Sequence, residues 1–362
     1  MIRVGITHGD INGIGYEVIL KAFADLRLAE MCIPVIYGSQ KVASYHRKVM
    51  NLQAVNLNQI PDTRTAVANK VNIINCIDEK VKIELGESSK EAGAAALSAL
   101  ERATDDLKKK YIDVLVTAPI NKDNIQSEDF HFPGHTEYLE QKFANEGDKS
   151  LMILASNELR VALVTGHTAL SEVPQKVTKD KIKEAARIFN HSLRRDFRVG
   201  KPRIAILSLN PHAGENGLLG SEENDVIIPA IRELQDEKLL CFGPFAADGF
   251  FGSGDFKRFD GVLAMYHDQG LAPFKALAME EGVNFTAGLP IVRTSPAHGT
   301  GYSIAGKNVA SEESLRQAIY MAIDVYNNRK FDDEAYASPL QKLYVARGSD
   351  NEELDLSGND ND

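Results

Sequence analysis

The sequence predicts an α/β protein with a mainly parallel sheet and helices on both faces. Three observations carry that reading: short Val- and Ile-rich runs without polar alternation, stretches of helical period between them, and polar or ionisable residues just after the runs. The strand-like runs fall at 2–7, 33–37, 114–117, 161–165, 204–209 and 261–266. Unbroken apolar runs of this length suit strands covered on both faces.

The helical stretches follow from spacing. Val18, Ile19, Ala22, Phe23 and Leu26 share one face, as do Ile182, Ala185, Ala186 and Phe189, and later Leu315, Ile319, Ala322, Ile323 and Tyr326. The Ala-rich stretch 91–110 is a strong helix former. At 362 residues the chain is long enough for about two domains. No fixed-period repeat and no Gly- or Pro-rich linker separates them, so they are expected to be interwoven. We place one α/β domain at 1–130 plus 250–348 and a second at 131–249. Residues 349–362 hold six acidic side chains, no basic ones and two leucines, which reads as a disordered tail.

Charge and composition exclude several functions. Against 41 Lys+Arg stand 51 Asp+Glu, a formal net charge of −10, the wrong sign for nucleic acid or an anionic membrane surface. Six of those ten net charges belong to the tail, so the body is close to balance. Cys32, Cys76 and Cys241 are far apart and odd in number, suiting reduced thiols rather than disulfides or a zinc cage. The N-terminus enters a strand-like run at once, without a signal peptide, and no apolar stretch is long enough to span a bilayer. A soluble cytoplasmic protein is expected.

Ligands of open α/β sheets bind at the carboxyl ends of strands. Here those ends deliver His8-Gly9-Asp10, Ala118-Pro119-Ile120-Asn121-Lys122, Gly166-His167-Thr168, Asn210-Pro211-His212 and His267-Asp268-Gln269-Gly270. His167, His212 and His267 could together bind a divalent metal, leaving a position open for substrate, or could be capping histidines. Their separations are not a local metal motif, so the fold must bring them together. Lys275, Asn284, Arg293 and the Thr294-Ser295-Pro296 turn offer charges and donors for a phosphate or carboxylate. Phe132-Pro133-Gly134-His135-Thr136-Glu137 looks like a loop entering a helix, where His135 and Thr136 can orient a substrate or Thr136 can cap the helix. Gly9 to Gly15 has the context of a phosphate-binding turn, yet the chain has neither a dinucleotide nor a P-loop fingerprint and no G-x-S-x-G elbow.

Taken in order, these motifs resemble the 4-hydroxythreonine-4-phosphate dehydrogenase family of vitamin B6 biosynthesis. The likeness rests on Gly9-Asp10, Gly13-Ile14-Gly15 and Glu17, Thr117 to Lys122, Pro133 to Glu137, Val164 to His167, Asn210 to Glu215, Tyr266 to Gly270, Asn284 to Arg293 and His298-Gly299-Thr300, and runs from about residue 2 to residue 330. It implies a two-domain fold like that of isocitrate and isopropylmalate dehydrogenases, which bind NAD without the usual fingerprint, with the cleft between the domains. It also implies NAD- or NADP-dependent oxidation of 4-phosphooxy-L-threonine at C3, then decarboxylation to 3-amino-2-oxopropyl phosphate. His167, His212 and His267 would hold one divalent ion (Zn, Mg or Co). His135, Thr136, Lys275, Asn284 and Arg293 would contact the phosphorylated hydroxy-amino-acid substrate. A homodimer would share its sites, with dimer contacts in the second domain. Lys122 and Asp248 are the candidates for proton transfer.

The sequence departs from the family pattern at Ile11, Asn12 and Tyr16, and at Ala246-Ala247-Asp248-Gly249, which bears on the first loop and the cleft. Some relatives act on threonate or erythronate phosphate, or on a dihydrodiol. Two readings outside this class are a metal-dependent phosphohydrolase, using Asp10, Asp248 and Asp268 with the histidines, and a non-catalytic metabolite-binding protein.

Overall fold

The computed structural model describes residues 1–52, 55–127 and 130–338; the tail read at 349–362 lies outside them. Twelve strands are present among these residues: β1 Arg3–Thr7, β2 Ile33–Gly38, β3 Leu57–Gln59, β4 Val71–Asn75, β5 Val114–Thr117, β6 Leu151–Ala155, β7 Arg160–Leu163, β8 Arg203–Leu207, β9 Leu240–Phe245, β10 Gly261–Ala264, β11 Val283–Ala287 and β12 Arg293–Pro296. They form one sheet, ordered β3-β4-β2-β1-β5-β12-β11-β6-β7-β10-β8-β9.

All six runs read from the sequence are strands here: β1, β2, β5, β7, β8 and β10. Each is buried along most of its length. They sit in two parallel blocks at the ends of the sheet. Between the blocks, β11 runs antiparallel to β12 and β6, and β6 runs antiparallel to β7. The two blocks therefore run in opposite directions. Two of the middle strands escape sequence reading because several of their side chains are polar: β11 is Val-Asn-Phe-Thr-Ala and β12 is Arg-Thr-Ser-Pro. The Thr294-Ser295-Pro296 segment expected as a turn is thus part of a central strand.

The periodic stretches form the helices Gly15–Ala22, Lys90–Lys108, Lys179–Arg195 and Glu313–Tyr336. Ser89 caps the second by accepting from Ala92 N–H, and Thr178 caps the third by accepting from Lys181 N–H. The last helix lies on the central strands. Thr294 Oγ1 donates to the Ala318 carbonyl at 2.7 Å and Ser314 Oγ to the Gly282 carbonyl at 2.6 Å. Because side chains alternate along a strand, Thr294 facing this helix sends Arg293 and Ser295 to the opposite face.

The Gly9–Gly15 loop is not an accessible phosphate turn. Residues 9–15 are buried, and the backbone N–H groups of Asp10, Gly13 and Ile14 donate to the carbonyls of Pro119, Asp10 and Thr300. Gly9 has φ +71°, and a Cβ there would strike the Pro119 carbonyl. The residues that depart from the family pattern have structural work: Asn12 bonds Glu84 N–H, the Glu87 carbonyl and Ser89 Oγ, and Tyr16 OH accepts from Ser39 N–H.

Tyr16 also lies between two buried imidazoles, stacking on His8 at 5.0 Å and on His46 at 5.1 Å between ring centroids. Burial pushes His8 down to about 3 and His46 to about 4. Both are neutral in the fold but protonate near 6.5 when unfolded. The unfolded chain therefore binds more protons below that pH, and stability present above about pH 6.5 drains away on acidification at about 1.4 kcal/mol per pH unit for each histidine. Urea unfolding between about pH 6.5 and about pH 4 should show this slope. His8→Phe should reduce it, because one of the two titrating rings is gone; an unchanged slope would refute the assignment.

Candidate active site

A cleft of about 550 Å³ lies over the antiparallel centre of the sheet. Its floor comes from strand register: Asn284 on β11 pairs with Ser295 on β12, and Arg293 on β12 pairs with Thr286 on β11 and Leu115 on β5. Its walls are the loop after β5, the start of the helix His135–Phe143, the turn after β7, and the helix His267–Ala278. On that last helix, His267, Leu271 and Lys275 recur every four residues and all line the cleft.

Arg293 is 3% exposed. Its guanidinium donates to Thr117 Oγ1 from Nε (3.0 Å) and Nη2 (2.6 Å), and to Thr286 Oγ1 from Nη1 (3.2 Å). Among the described residues no carboxylate comes within ion-pair distance of it, and burial lowers its pKa to about 10. A buried cation whose hydrogen bonds all go to hydroxyls, with Glu137 acting on it only from beyond ion-pair distance, is an electrostatic demand for an anion. In the same cleft, His135 Nε2, Asn284 Oδ1 and His298 Nε2 are buried without a hydrogen-bond partner among the described residues. Burial first, then the positive charges of Arg293 and Lys122, hold His135 well below its ordinary value, so its ring is neutral.

Backbone pairing places the histidines. Val164 N–H and Thr165 N–H donate to the carbonyls of Ala264 and Met265, and Thr165 Oγ1 donates to Met265 O at 2.7 Å. Gln269 accepts from Met265 N–H (2.8 Å) and donates to the Ser208 carbonyl (2.6 Å). These bonds zip the ends of β7 and β10 together. His167 and His267 then lie with ring centroids 5.8 Å apart. His267 Nδ1 bonds Asp268 at 2.6 Å, which leaves Nε2 its lone pair. Lys122 Nζ is 3.0 Å from His167 Nε2, and partial burial, then Lys122, lower the His167 pKa.

The structure thus brings His135, Thr136, Lys275, Asn284, Arg293, Lys122, His167 and His267 to one cleft. Sequence reasoning gave no role to Glu137 and His298, which also line it. Both belong to motifs noted above, and that was their only signal. Thr136 is not a cap: Gly134 holds the N-cap position, and Thr136 sits inside the first turn. A larger cavity of about 830 Å³ lies beside the helix Lys179–Arg195. Its arginines are already paired, Arg187 with Glu237, Arg195 with Asp333 and Arg329 with Asp196, so it holds no buried unpaired guanidinium like that of Arg293.

Residues 30–322 match the family model described as pyridoxal phosphate biosynthetic protein PdxA. The chain is 57% identical over 361 residues to the 4-hydroxythreonine-4-phosphate dehydrogenase of Bacteroides thetaiotaomicron, covering 100% of this chain and 99% of that one. It is 40% identical to the enzyme of the same name from a Sulfurihydrogenibium species, covering 91% and 100%. The crystal structure of 4-hydroxythreonine-4-phosphate dehydrogenase from Klebsiella pneumoniae superposes with a TM-score of 0.76 at 31% identity, covering 90% and 100%. The chain belongs to the PdxA family.

In this PdxA family member, two of the expected site residues stand apart from the cleft. Asp248 is exposed on the short helix Ala247–Gly252, and His212 is exposed after β8; neither lines the cleft. His212 begins a run of five left-handed residues, His212 to Asn216, with φ between 43° and 75°. Left-handed backbone costs an L-residue about 1–2 kcal/mol, and only Gly214 here is a glycine. Among the described residues no single-chain group of three His, Cys, Asp or Glu can hold a metal ion.

The reading of Arg293 makes a stability prediction. Arg293→Met should leave the ligand-free protein at least as stable as wild type, because it removes a buried charge with no carboxylate in ion-pair distance among the described residues. Thr117→Val, which strips two hydrogen bonds from that charge, should cost about 1.5–3 kcal/mol. Chemical denaturation of both variants checks this, and a large loss of stability in Arg293→Met would contradict it.

Proposed function

We propose that this protein oxidises 4-phosphooxy-L-threonine at C3 with NAD or NADP and releases CO₂, giving 3-amino-2-oxopropyl phosphate for pyridoxal phosphate biosynthesis. The observation that carries the reading is the buried, anion-seeking Arg293 in the same cleft as two side-by-side imidazoles. Arg293, Lys275 and Asn284 hold the phosphate. His135, neutral and with Nε2 unpartnered, and Thr136 orient the rest of the substrate so that C3 faces the nicotinamide.

His167 and His267 fit a divalent cation: two imidazoles side by side, with Asp268 bonded to Nδ1 of His267 and orienting that ring. His212 from a second copy completes the set, which makes the active site a property of a homodimer. When bound, such an ion acidifies the substrate hydroxyl and stabilises negative charge on the oxygen during loss of CO₂. In the oxidation the C3–H bond breaks as hydride leaves to the nicotinamide, and the hydroxyl proton leaves to a base in the cleft. In the second step the bond to the carboxylate breaks, CO₂ departs and the carbon takes up one proton. Lys122, with Nζ 3.0 Å from His167 Nε2, is the candidate for both transfers: as the free amine it takes the hydroxyl proton, and as the ammonium so formed it returns one proton to the carbon. Asp248, outside the cleft of its own chain, reaches the reaction only across the same dimer contact.

Reduction of NAD or NADP in the presence of 4-phosphooxy-threonine, abolished by a chelator and restored by divalent metal, is the expected result. Threonate and erythronate phosphate should be poorer substrates. Release of inorganic phosphate without any nicotinamide would overturn the reading in favour of hydrolysis. The shared site has its own test. His167→Ala and His212→Ala should each be inactive, yet mixing them under subunit exchange should restore about a quarter of wild-type activity through mixed dimers with one intact site. No recovery on demonstrated exchange would place all ligands on one chain.

A further inference from the structure

His212 is presented by backbone that does not hold itself in place. A left-handed run containing four non-glycine residues persists only where its surroundings over-determine it. One carboxylate supplies most of that constraint. Glu223 is 1% exposed. Its Oε1 accepts from the backbone N–H groups of Leu209 and Asn210, both at 2.8 Å, and its Oε2 accepts from Asn210 Nδ2 at 3.0 Å. Asn210 Nδ2 also donates to Glu222 Oε2 at 2.7 Å. A Cβ on Gly214 would lie 2.5 Å from Glu223 Oε2, so the carboxylate packs directly against the middle of the turn. Glu223 also opens the π-helical segment Glu223–Ile227, an irregularity found mostly at functional sites.

We propose that Glu223 is the positioning residue for His212. Its buried carboxylate clamps the end of β8 and supports the left-handed turn, holding the imidazole where a second copy's cleft can take it. No lysine or arginine among the described residues pairs with this carboxylate. A buried anion satisfied only by hydrogen bonds is a poor way to gain stability and a good way to fix backbone direction. The inference rests on the reading of His212 as a metal ligand.

Glu223→Gln is isosteric. It keeps Oε1 for the two backbone donors and replaces Oε2 with an amide that opposes the Asn210 amide and the turn. Metal-free protein titrated with Co²⁺, followed by its visible absorption and by equilibrium dialysis, reads the effect without turnover. In Glu223→Gln the expected result is a 10–100-fold weaker Co²⁺ affinity and a weakened visible band, with the circular dichroism of wild type and activity recovered at high Co²⁺. His212→Ala is titrated alongside. Weak binding by His212→Ala with wild-type affinity in Glu223→Gln would overturn the positioning role alone. Wild-type affinity in His212→Ala would overturn the ligand reading beneath it. Should Glu223→Gln not fold, Asn210→Ser removes the amide contacts to Glu222 and Glu223 while keeping the backbone donors, and is read the same way: weaker Co²⁺ binding supports the clamp and unchanged binding overturns it.

Discussion

A buried guanidinium with no carboxylate in ion-pair distance among the described residues organises this structure. Arg293 sits on the central strand β12, 3% exposed, held by two threonine hydroxyls. That arrangement costs the folded protein desolvation energy which hydroxyls only partly return. It is retained where a ligand completes the charge balance. The antiparallel middle of the sheet is what makes it possible: β11 and β12 turn Asn284, Arg293 and Ser295 to one face, while Thr294 and the helix Glu313–Tyr336 seal the other.

Around this floor the fold spends hydrogen bonds on direction. The β7 and β10 ends are tied by Val164, Thr165 and Gln269, so His167 and His267 arrive side by side from segments a hundred residues apart in sequence. The end of β8 is tied differently, by Glu223, and points His212 outward on left-handed backbone. One chain therefore offers two imidazoles in its cleft and one outward-facing histidine. Two copies exchanging that residue would resolve both facts together.

Much of this was legible in the sequence, for physical reasons. β1, β2, β5, β7, β8 and β10 announce themselves because buried parallel strands are continuously apolar. The four long amphipathic helices follow from the period of their apolar faces. β11 and β12 stay hidden because polar residues there serve the cleft, so the pattern that marks a strand is overwritten by function. Residues 9–15 mislead in the opposite sense: their glycines serve close backbone packing against Pro119, His8 and Thr300, not phosphate. Lys275, Asn284 and Arg293 could be grouped by their chemistry alone, but only the resemblance joined them to His135 and Thr136, since spacing cannot show that they converge. The clamp on His212 had no signal, because Glu223 lies more than ten residues beyond it and reads as ordinary surface acid.

The central claim is that the Arg293 charge is matched by the substrate phosphate. The most direct measurement is a titration-calorimetry cycle: 4-phosphooxy-threonine against 4-hydroxythreonine, in wild type and Arg293→Met. The account predicts that the phosphate strengthens binding to wild type by a large factor and that Arg293→Met loses most of it, a coupling of about 2–5 kcal/mol. Equal losses of affinity for both ligands would contradict it, placing Arg293 in the architecture of the cleft and not in recognition of the anion.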